Sequence, residues 1–276
     1  MKERRTHTMS EHYENSGVDR LYSAVWGENI HYGVYETGDE TIETATWAAK
    51  RLMAEAARLR PGERVLEVAC GYGATARYLA EAYGVSVVAS NISETQLARC
   101  REMAGGRALD DRVSFEYADF HDLPFPDESF DVWWCQESMV HSPDKERVLR
   151  EAYRVLKPGG RAVISDHIFW HERLTPQERA AVEARYGMSN LSSPADYERH
   201  ITDAGFTLVE HRDWQRHAAL HRAKVLARLE QHMSEFAREM DAETLENNHR
   251  SWAHWADLAA EGKLSLDFYL AEKPAG

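Results

Sequence analysis

The residues with most chemical content fall in one short loop, Glu67-Val-Ala-Cys-Gly71-Tyr-Gly73. Glycine at such turn positions lets backbone N–H groups approach a ligand with no Cβ in the way. Gly71-x-Gly73-x-x-Ala76 also fits the dinucleotide fingerprint, a pattern that selects no single cofactor. A tight strand–helix turn is the plainer alternative, but open α/β sheets bind ligands at such carboxyl ends. Asn91 closes the second strand, where nucleotide-binding patterns usually place an acid for the ribose hydroxyls. An amide still donates to or accepts from a hydroxyl. Asp119-Phe120, after the third strand, suits an exocyclic amine and an apolar ring edge. Gln136 follows the fourth strand, and His141 stands five residues further on. His141 is a candidate base or acceptor-orienting group, with a loop-bonded structural histidine as the alternative.

These residues need a scaffold that brings strand ends together. Residues 64–70, 85–90, 113–120, 130–137 and 161–168 are short, mostly apolar strand candidates separated by helical stretches. Such alternation predicts a parallel sheet covered on both faces. Ahead of it, residues 43–59 predict an amphipathic helix, with Ala45, Ala49, Leu52, Ala56 and Leu59 as its stripe and Lys50, Arg51, Glu55 and Arg58 off it. Residues 17–36 are rich in aromatics and glycine without periodicity, which suggests a packed cap. Ser142-Pro143-Asp144 predicts a helix start with Ser142 as N-cap, and Ser193-Pro194 another that stops at Gly205. Residues 206–213 predict a sixth strand, 216–262 a long helical region with Val225, Leu229, Met233 and Phe236 as its apolar stripe, and 264–273 a last strand.

The spaced set of Glu67-x-x-x-Gly71-x-Gly73, Asp119-Phe120 and Leu156-Lys-Pro-Gly-Gly160 resembles the class I S-adenosylmethionine-dependent methyltransferases. That resemblance covers residues 60–170. It implies an α/β, Rossmann-like seven-stranded sheet, mostly parallel with the last strand antiparallel. A helical N-terminal lid and a helical insertion before the last strand complete one domain over 1–276, made of 1–60, the cofactor-binding core 61–170 and the acceptor side 171–276. S-adenosyl-L-methionine is the implied cofactor. Glu67 would orient the loop or the methionine amine, and Gly71 and Gly73 would bring backbone to the aminoacyl part. Asn91 would serve the ribose, Asp119 the adenine amine, Phe120 the ring and Gln136 the methionine moiety, with Gln96 also among the cofactor-binding residues. Ala69 stands where many members carry the first glycine, and Asn91 replaces the commoner acid.

Within that family the chain resembles the sarcosine/dimethylglycine N-methyltransferases. The likeness rests on Tyr22-x-x-x-Trp26-Gly27, His31-x-Gly33-x-Tyr35, the run from Gln136 through His141-Ser-Pro-Asp-Lys145, His254-Trp255, and Glu261-Gly-Lys-Leu264. It implies methylation of a glycine-type amine, with Tyr22, Trp26, His31, Tyr35, His167 and Arg222 on the acceptor. C- or O-methyltransferases of specialised metabolism share much of this frame. His167-Ile168 and Arg222 are off-pattern for the amine enzymes, so a prenyl or aromatic acceptor stays open. An NAD-dependent dehydrogenase predicts an acid at position 91, and a non-catalytic binder of the same cofactor is the non-enzyme reading.

Composition narrows the partners. Across 276 residues, 33 basic against 46 acidic side chains leave a net charge of −13. Counterion-release binding to nucleic acid needs a basic face, and an anionic membrane likewise attracts basic segments, so neither partner is expected. No apolar run approaches a membrane span and the polar start resembles no signal peptide, so a soluble cytoplasmic protein is expected, with a homo-oligomer left open. His167/His171 and His217/His221 are i,i+4 pairs but lie outside any HExxH pattern, so no metal is expected. Cys70, Cys100 and Cys135 form no CxxC and are expected as buried thiols, with Cys70 and Cys135 on neighbouring strand ends.

Overall fold

The computed structural model describes residues 21, 24–27, 29–105, 111–186, 190–238 and 240–276. Two compact units make it up, both discontinuous in sequence. One is Lys50–Trp214 with Ser265–Gly276; the other is the described part up to Ala49 with Gln215–Leu264.

Seven strands build one sheet: β1 (Arg64–Val68), β2 (Ser86–Asn91), β3 (Val113–Tyr117), β4 (Phe130–Gln136), β5 (Leu156–Phe169), β6 (Thr207–Asp213) and β7 (Leu264–Glu272). Their order is β3-β2-β1-β4-β5-β7-β6. The pairs from β3 across to β5 are parallel, and β7 runs antiparallel to β6. The expected mostly parallel sheet with a reversed last strand is therefore the observed one. The inner strands are apolar on both faces because helices cover both, and Leu66, Val68, Phe130, Trp133, Ile164 and Tyr269 share one core. Register then does the positioning. Val68 pairs with Cys135, Gln136 with Ser165 and Asn91 with Tyr117, so the strand ends come level along one edge.

The helices, in chain order, are α1 (Ile42–Ala56), α2 (Ala74–Tyr83), α3 (Glu94–Ala104), α4 (Lys145–Val155), α5 (Pro176–Tyr186), α6 (Pro194–Asp203), α7 (Gln215–Phe236) and α8 (Ala242–Ala260). Ser193 closes a capping box with Asp196 at the start of α6, as its sequence predicts. At α4 the cap differs. Asp144, not Ser142, accepts from the first-turn N–H of Arg147. Ser142 instead accepts the Asp144 N–H at 3.0 Å, turning the chain around Pro143 before the helix begins.

Three further differences have physical causes. The run Leu156-Lys-Pro-Gly-Gly160 is part of β5, because a register shift carries the pairing from Phe130↔Leu156 to Val132↔Arg161. A Cβ on Gly160 would stand 2.8 Å from the Lys157 carbonyl, so this glycine serves the strand itself. The helical region 216–262 is two helices, α8 restarting on Asp241, whose side chain accepts from Thr244 N–H. Finally, the buried stripe of α1 is Ile42, Ala45, Thr46, Ala49, Lys50 and Met53, which turns the helix so that Lys50 faces inward. In the second unit Val25, Trp26, Ile42, Val225, Leu229 and Trp252 form the core, with Met233 packed against it. Among the described residues no helix is long and apolar enough to cross a membrane.

Candidate active site

Glu67, the last residue but one of β1, is almost fully buried, and its carboxyl accepts the Ala76 backbone N–H in the first turn of α2. The other oxygen, Oε2, is buried with no hydrogen-bond partner. Burial pushes the Glu67 carboxyl up to about 8, opposed chiefly by the positive charge of Lys50. Lys50 is itself wholly buried and is brought down to about 8, with Glu137 and Glu67 as its counter-charges. The loop after Glu67 is built from left-handed residues: Ala69 at φ 53°, Gly71 at 53° and Gly73 at 69°. Ala69 holds such a φ at a cost of about 1 kcal/mol, and strain of this kind clusters at functional sites.

The two glycines have different reasons to be glycine. A Cβ on Gly73 would stand 2.6 Å from the Phe115 ring, so packing forbids it. A Cβ on Gly71 would meet nothing within 4 Å; it would fill the open cradle beside the strand ends. Cys100 on α3 donates to the Gly71 carbonyl at 3.2 Å, and its thiol partners Cys70 rather than Cys135. All three cysteines are free and buried.

Around this loop the other predicted donor-site residues gather on the same unit. Asn91 is spent on its own turn. Its carbonyl accepts from Ile92 and Ser93 N–H at 2.8 and 3.2 Å, while its amide donates to Gln96 Oε1 at 2.8 Å and reaches the Gly71 carbonyl at 3.5 Å. Gln96 is thereby fixed with its oxygen toward Asn91. Gln136 is fixed likewise, its oxygen accepting from Thr75 Oγ1 at 2.9 Å and Trp134 Nε1 at 3.0 Å. Asp119 is half-exposed, held below the usual carboxylate range by its bonds to His121, and Phe120 beside it packs on the sheet core.

On the same edge, His141 lies in the 3-10 turn Met139–His141 that follows β4. Its N–H donates to the Ser138 carbonyl at 3.1 Å. His167 lies buried on β5, and its N–H donates to the carboxylate of Asp166. Asp166 accepts from Tyr197 Oη, and burial raises it to about 7. His167 is on a strand, as its sequence predicts, and His171 lies beyond it, so this pair shares no helical face.

The predicted acceptor residues of the second unit surround a different centre. Tyr22 lies outside the described residues. Trp26 Nε1 donates to His221 Nε2 at 3.1 Å, Gly33 N–H reaches His221 Nδ1 at 3.1 Å, and Tyr35 Oη lies 2.9 Å from the same nitrogen. Tyr32 stacks on the His221 ring at 4.8 Å, and Arg222 donates to the Tyr32 hydroxyl. His217 Nδ1 accepts the Tyr35 N–H at 3.1 Å. Burial drives His221 down to about 3, so the ring is neutral, with one nitrogen carrying a hydrogen and the other accepting. Trp26 and Tyr35 are thus core residues of this unit, while His31 is half-buried next to them. His217 and His221 spend ring nitrogens on the 33–35 segment, and among the described residues no three metal-ligating side chains gather.

Sequence reasoning missed Lys50, His121 and His221. For Lys50 the signal was the alternative stripe through Ile42, Ala45, Ala49 and Met53, whose edge passes through position 50.

The family described as a methyltransferase domain matches residues 66–164, the stretch that holds the glycine loop and β1 to β5. A sarcosine/dimethylglycine N-methyltransferase of Halorhodospira halochloris is 32% identical over 268 residues, 96% of each chain. The chain belongs to the S-adenosylmethionine-dependent methyltransferases. A glycine/sarcosine/dimethylglycine N-methyltransferase of Actinopolyspora halophila is 33% identical over 260 residues, 94% of this methyltransferase but 46% of that protein, so the chain spans about half of that relative's length. Among solved structures, a Galdieria sulphuraria chain assigned as a sarcosine dimethylglycine methyltransferase superposes with a TM-score of 0.87 at 30% identity, covering 96% of this chain and 99% of that one. The methyltransferase uses S-adenosylmethionine, and its site fits that group. Among the described residues nothing hydrogen-bonds Glu67 Oε2, and Gly71 leaves open the space a Cβ would take.

Proposed function

We propose that this methyltransferase methylates the amine nitrogen of a glycine-type compound, sarcosine- or dimethylglycine-like. The observation that carries the reading is that similarity to a sarcosine/dimethylglycine N-methyltransferase runs over 96% of both chains, well past the residues 66–164 that the general methyltransferase family matches. In this reading Glu67 Oε2 takes the methionine ammonium, the Gly71 backbone and the Gln136 amide take the rest of the aminoacyl part, and Asp119 takes the adenine amine with Phe120 on the ring. Gln96, whose oxygen Asn91 holds, offers its amide nitrogen to the ribose. Asn91 serves by holding Gln96 and the loop.

S-adenosylmethionine supplies a methyl group already activated by its sulfonium. What remains for the protein is to hold the nucleophile in line and exclude water. The acceptor nitrogen must be unprotonated to attack, so a base near the strand ends takes its proton first. His141 is the residue for that task, and His167 borders the same edge. Trp26, His31, Tyr35 and Arg222 shape the acceptor side through the segment they order around His221.

An acceptor screen with methyl-labelled donor tests the reading: glycine, sarcosine, dimethylglycine, phenols and prenyl diphosphates. Label should pass to the amino acids, and His141→Ala should lower turnover by about 100-fold or more while donor affinity holds. Transfer only to a phenol or prenyl carbon would overturn the amine assignment.

A further inference from the structure

Asp119, His121 and Ser142 form a hydrogen-bonded chain that the methyl-transfer reading leaves unused. His121 Nδ1 lies 2.7 Å from Asp119 Oδ1, and His121 Nε2 lies 2.8 Å from Ser142 Oγ. The Asp119 Oδ1 atom also accepts the His121 backbone N–H at 2.9 Å. Acid, imidazole and hydroxyl stand in the order of a hydrolytic triad. Ser142 is wholly buried, however, and its oxygen accepts the Asp144 N–H at 3.0 Å, so no acyl group can reach it. The chain orients; it does not attack.

A carboxylate only accepts, so Nδ1 carries a hydrogen, and in the neutral imidazole Nε2 accepts. The Ser142 hydroxyl then donates to Nε2, while its oxygen accepts the Asp144 N–H. Backbone anchors fix the rest: Arg147 Nε donates to the His121 carbonyl at 2.7 Å, and Asp122 N–H to the Asp119 carbonyl at 2.9 Å. The Phe120 and His121 rings meet edge to face at 4.7 Å, so the same imidazole braces both residues assigned to the adenine. Among the described residues no hydrogen bond reaches Asp119 Oδ2, although Oδ1 holds two.

We infer that His121 is a positioning residue of the donor site, which commits one oxygen of Asp119 and aims the other as a pure acceptor at an exocyclic amino group. The inference rests on the reading that Asp119 meets the adenine amine. Its consequence is selectivity. A 6-oxo purine would set its own acceptor against Oδ2 and be rejected, and that rejection would need His121 as well as Asp119. Ser142 belongs to the same device, because its hydroxyl holds the far nitrogen of the His121 ring.

The test compares binding of S-adenosylhomocysteine with binding of S-inosylhomocysteine, which carries a 6-oxo group and an N1–H in place of the 6-amino group and bare N1. The wild type should prefer the adenosyl ligand by about 10- to 100-fold, the range for a hydrogen bond to a charged group. Asp119→Ala should abolish the preference. His121→Ala should reduce it to within about threefold while the KM for the acceptor stays unchanged. His121→Asn, whose amide can still donate to Oδ1, should keep most of it. Ser142→Ala should lower it partially and carries the test should His121→Ala fail to fold. Preference lost in Asp119→Ala but intact in both His121→Ala and Ser142→Ala overturns the role of His121. Preference intact in Asp119→Ala overturns the placement of the adenine itself, and the inference with it.

Discussion

Glu67 and His221 are two buried titratable side chains in two different units, and the protein treats them in opposite ways. Burial pushes Glu67 up to about 8 and His221 down to about 3. Around His221 the polar groups are settled internally, with Trp26, Gly33 and Tyr35 all directed at its two ring nitrogens. Around Glu67 they are not. Among the described residues one oxygen is buried without a hydrogen-bond partner, and the chief counter-charge is a lysine whose own charge burial disfavours. An unmet buried acceptor costs about 1–3 kcal/mol until something donates to it, so a ligand that does so is bound and stabilises the fold. Burial alone does not separate scaffold from site here. Hydrogen-bond satisfaction does.

The largest effect should come from breaking the satisfied centre. His221→Phe keeps the volume but removes both ring nitrogens from Trp26, Gly33 and Tyr35, and should lose about 2–4 kcal/mol of stability in denaturant unfolding with donor affinity unchanged. The pH dependence has a definite sign. The folded pKa near 3 lies below the ordinary 6.5, so the unfolded chain binds the proton first. Stability therefore falls as pH drops through 6.5 toward 3, and the variant should flatten that limb. A wild-type unfolding midpoint and an unchanged acid limb would mean that the clamp contributes nothing.

The glycine loop sharpens the comparison at shorter range. Gly73→Ala drives a methyl to 2.6 Å from Phe115 and should cost about 1–3 kcal/mol of stability. Gly71→Ala meets no atom within 4 Å, so its folding cost should be only the left-handed strain of about 1 kcal/mol. Its donor affinity should nevertheless fall by about tenfold or more. Were the two variants to exchange these phenotypes in thermal unfolding and donor titration, the cradle would have to be relocated.

Much of the sheet could be read in the chain. The apolar runs that became β1, β2 and β4 are buried on both faces, so continuous hydrophobicity and strand coincide there. The glycine loop, Asp119 and Gln136 were legible because strand ends in such folds carry ligands, a rule about position in the fold. What escaped was partnership across distance. Lys50 looks like a solvent-facing lysine because its counter-charges, Glu67 and Glu137, come from other elements. His221 reads as half of a helical pair because its donors lie more than 180 residues away. Asn91 reads as a ribose ligand because sequence does not reveal that its own turn consumes both ends of its amide. Ser142 reads as a helix cap, whereas its hydroxyl is claimed by His121 and Asp144.

The most direct test concerns Glu67. Its folded pKa near 8 lies above the ordinary 4.5, so the free protein holds a proton there that the unfolded chain has lost. Stability of the free protein should therefore decline as pH rises from 4.5 to 8, and Glu67→Gln should remove that decline. Binding a cationic amine requires the carboxylate, so the donor must expel the proton. Titration calorimetry of S-adenosylhomocysteine at pH 7, in two buffers of different ionisation heat, measures this directly. The wild type should release about one proton per ligand, and Glu67→Gln should release none and bind about 10- to 100-fold more weakly. Equal affinity and equal proton release in both proteins would contradict the claim that Glu67 is the unmet acceptor around which the donor site is built.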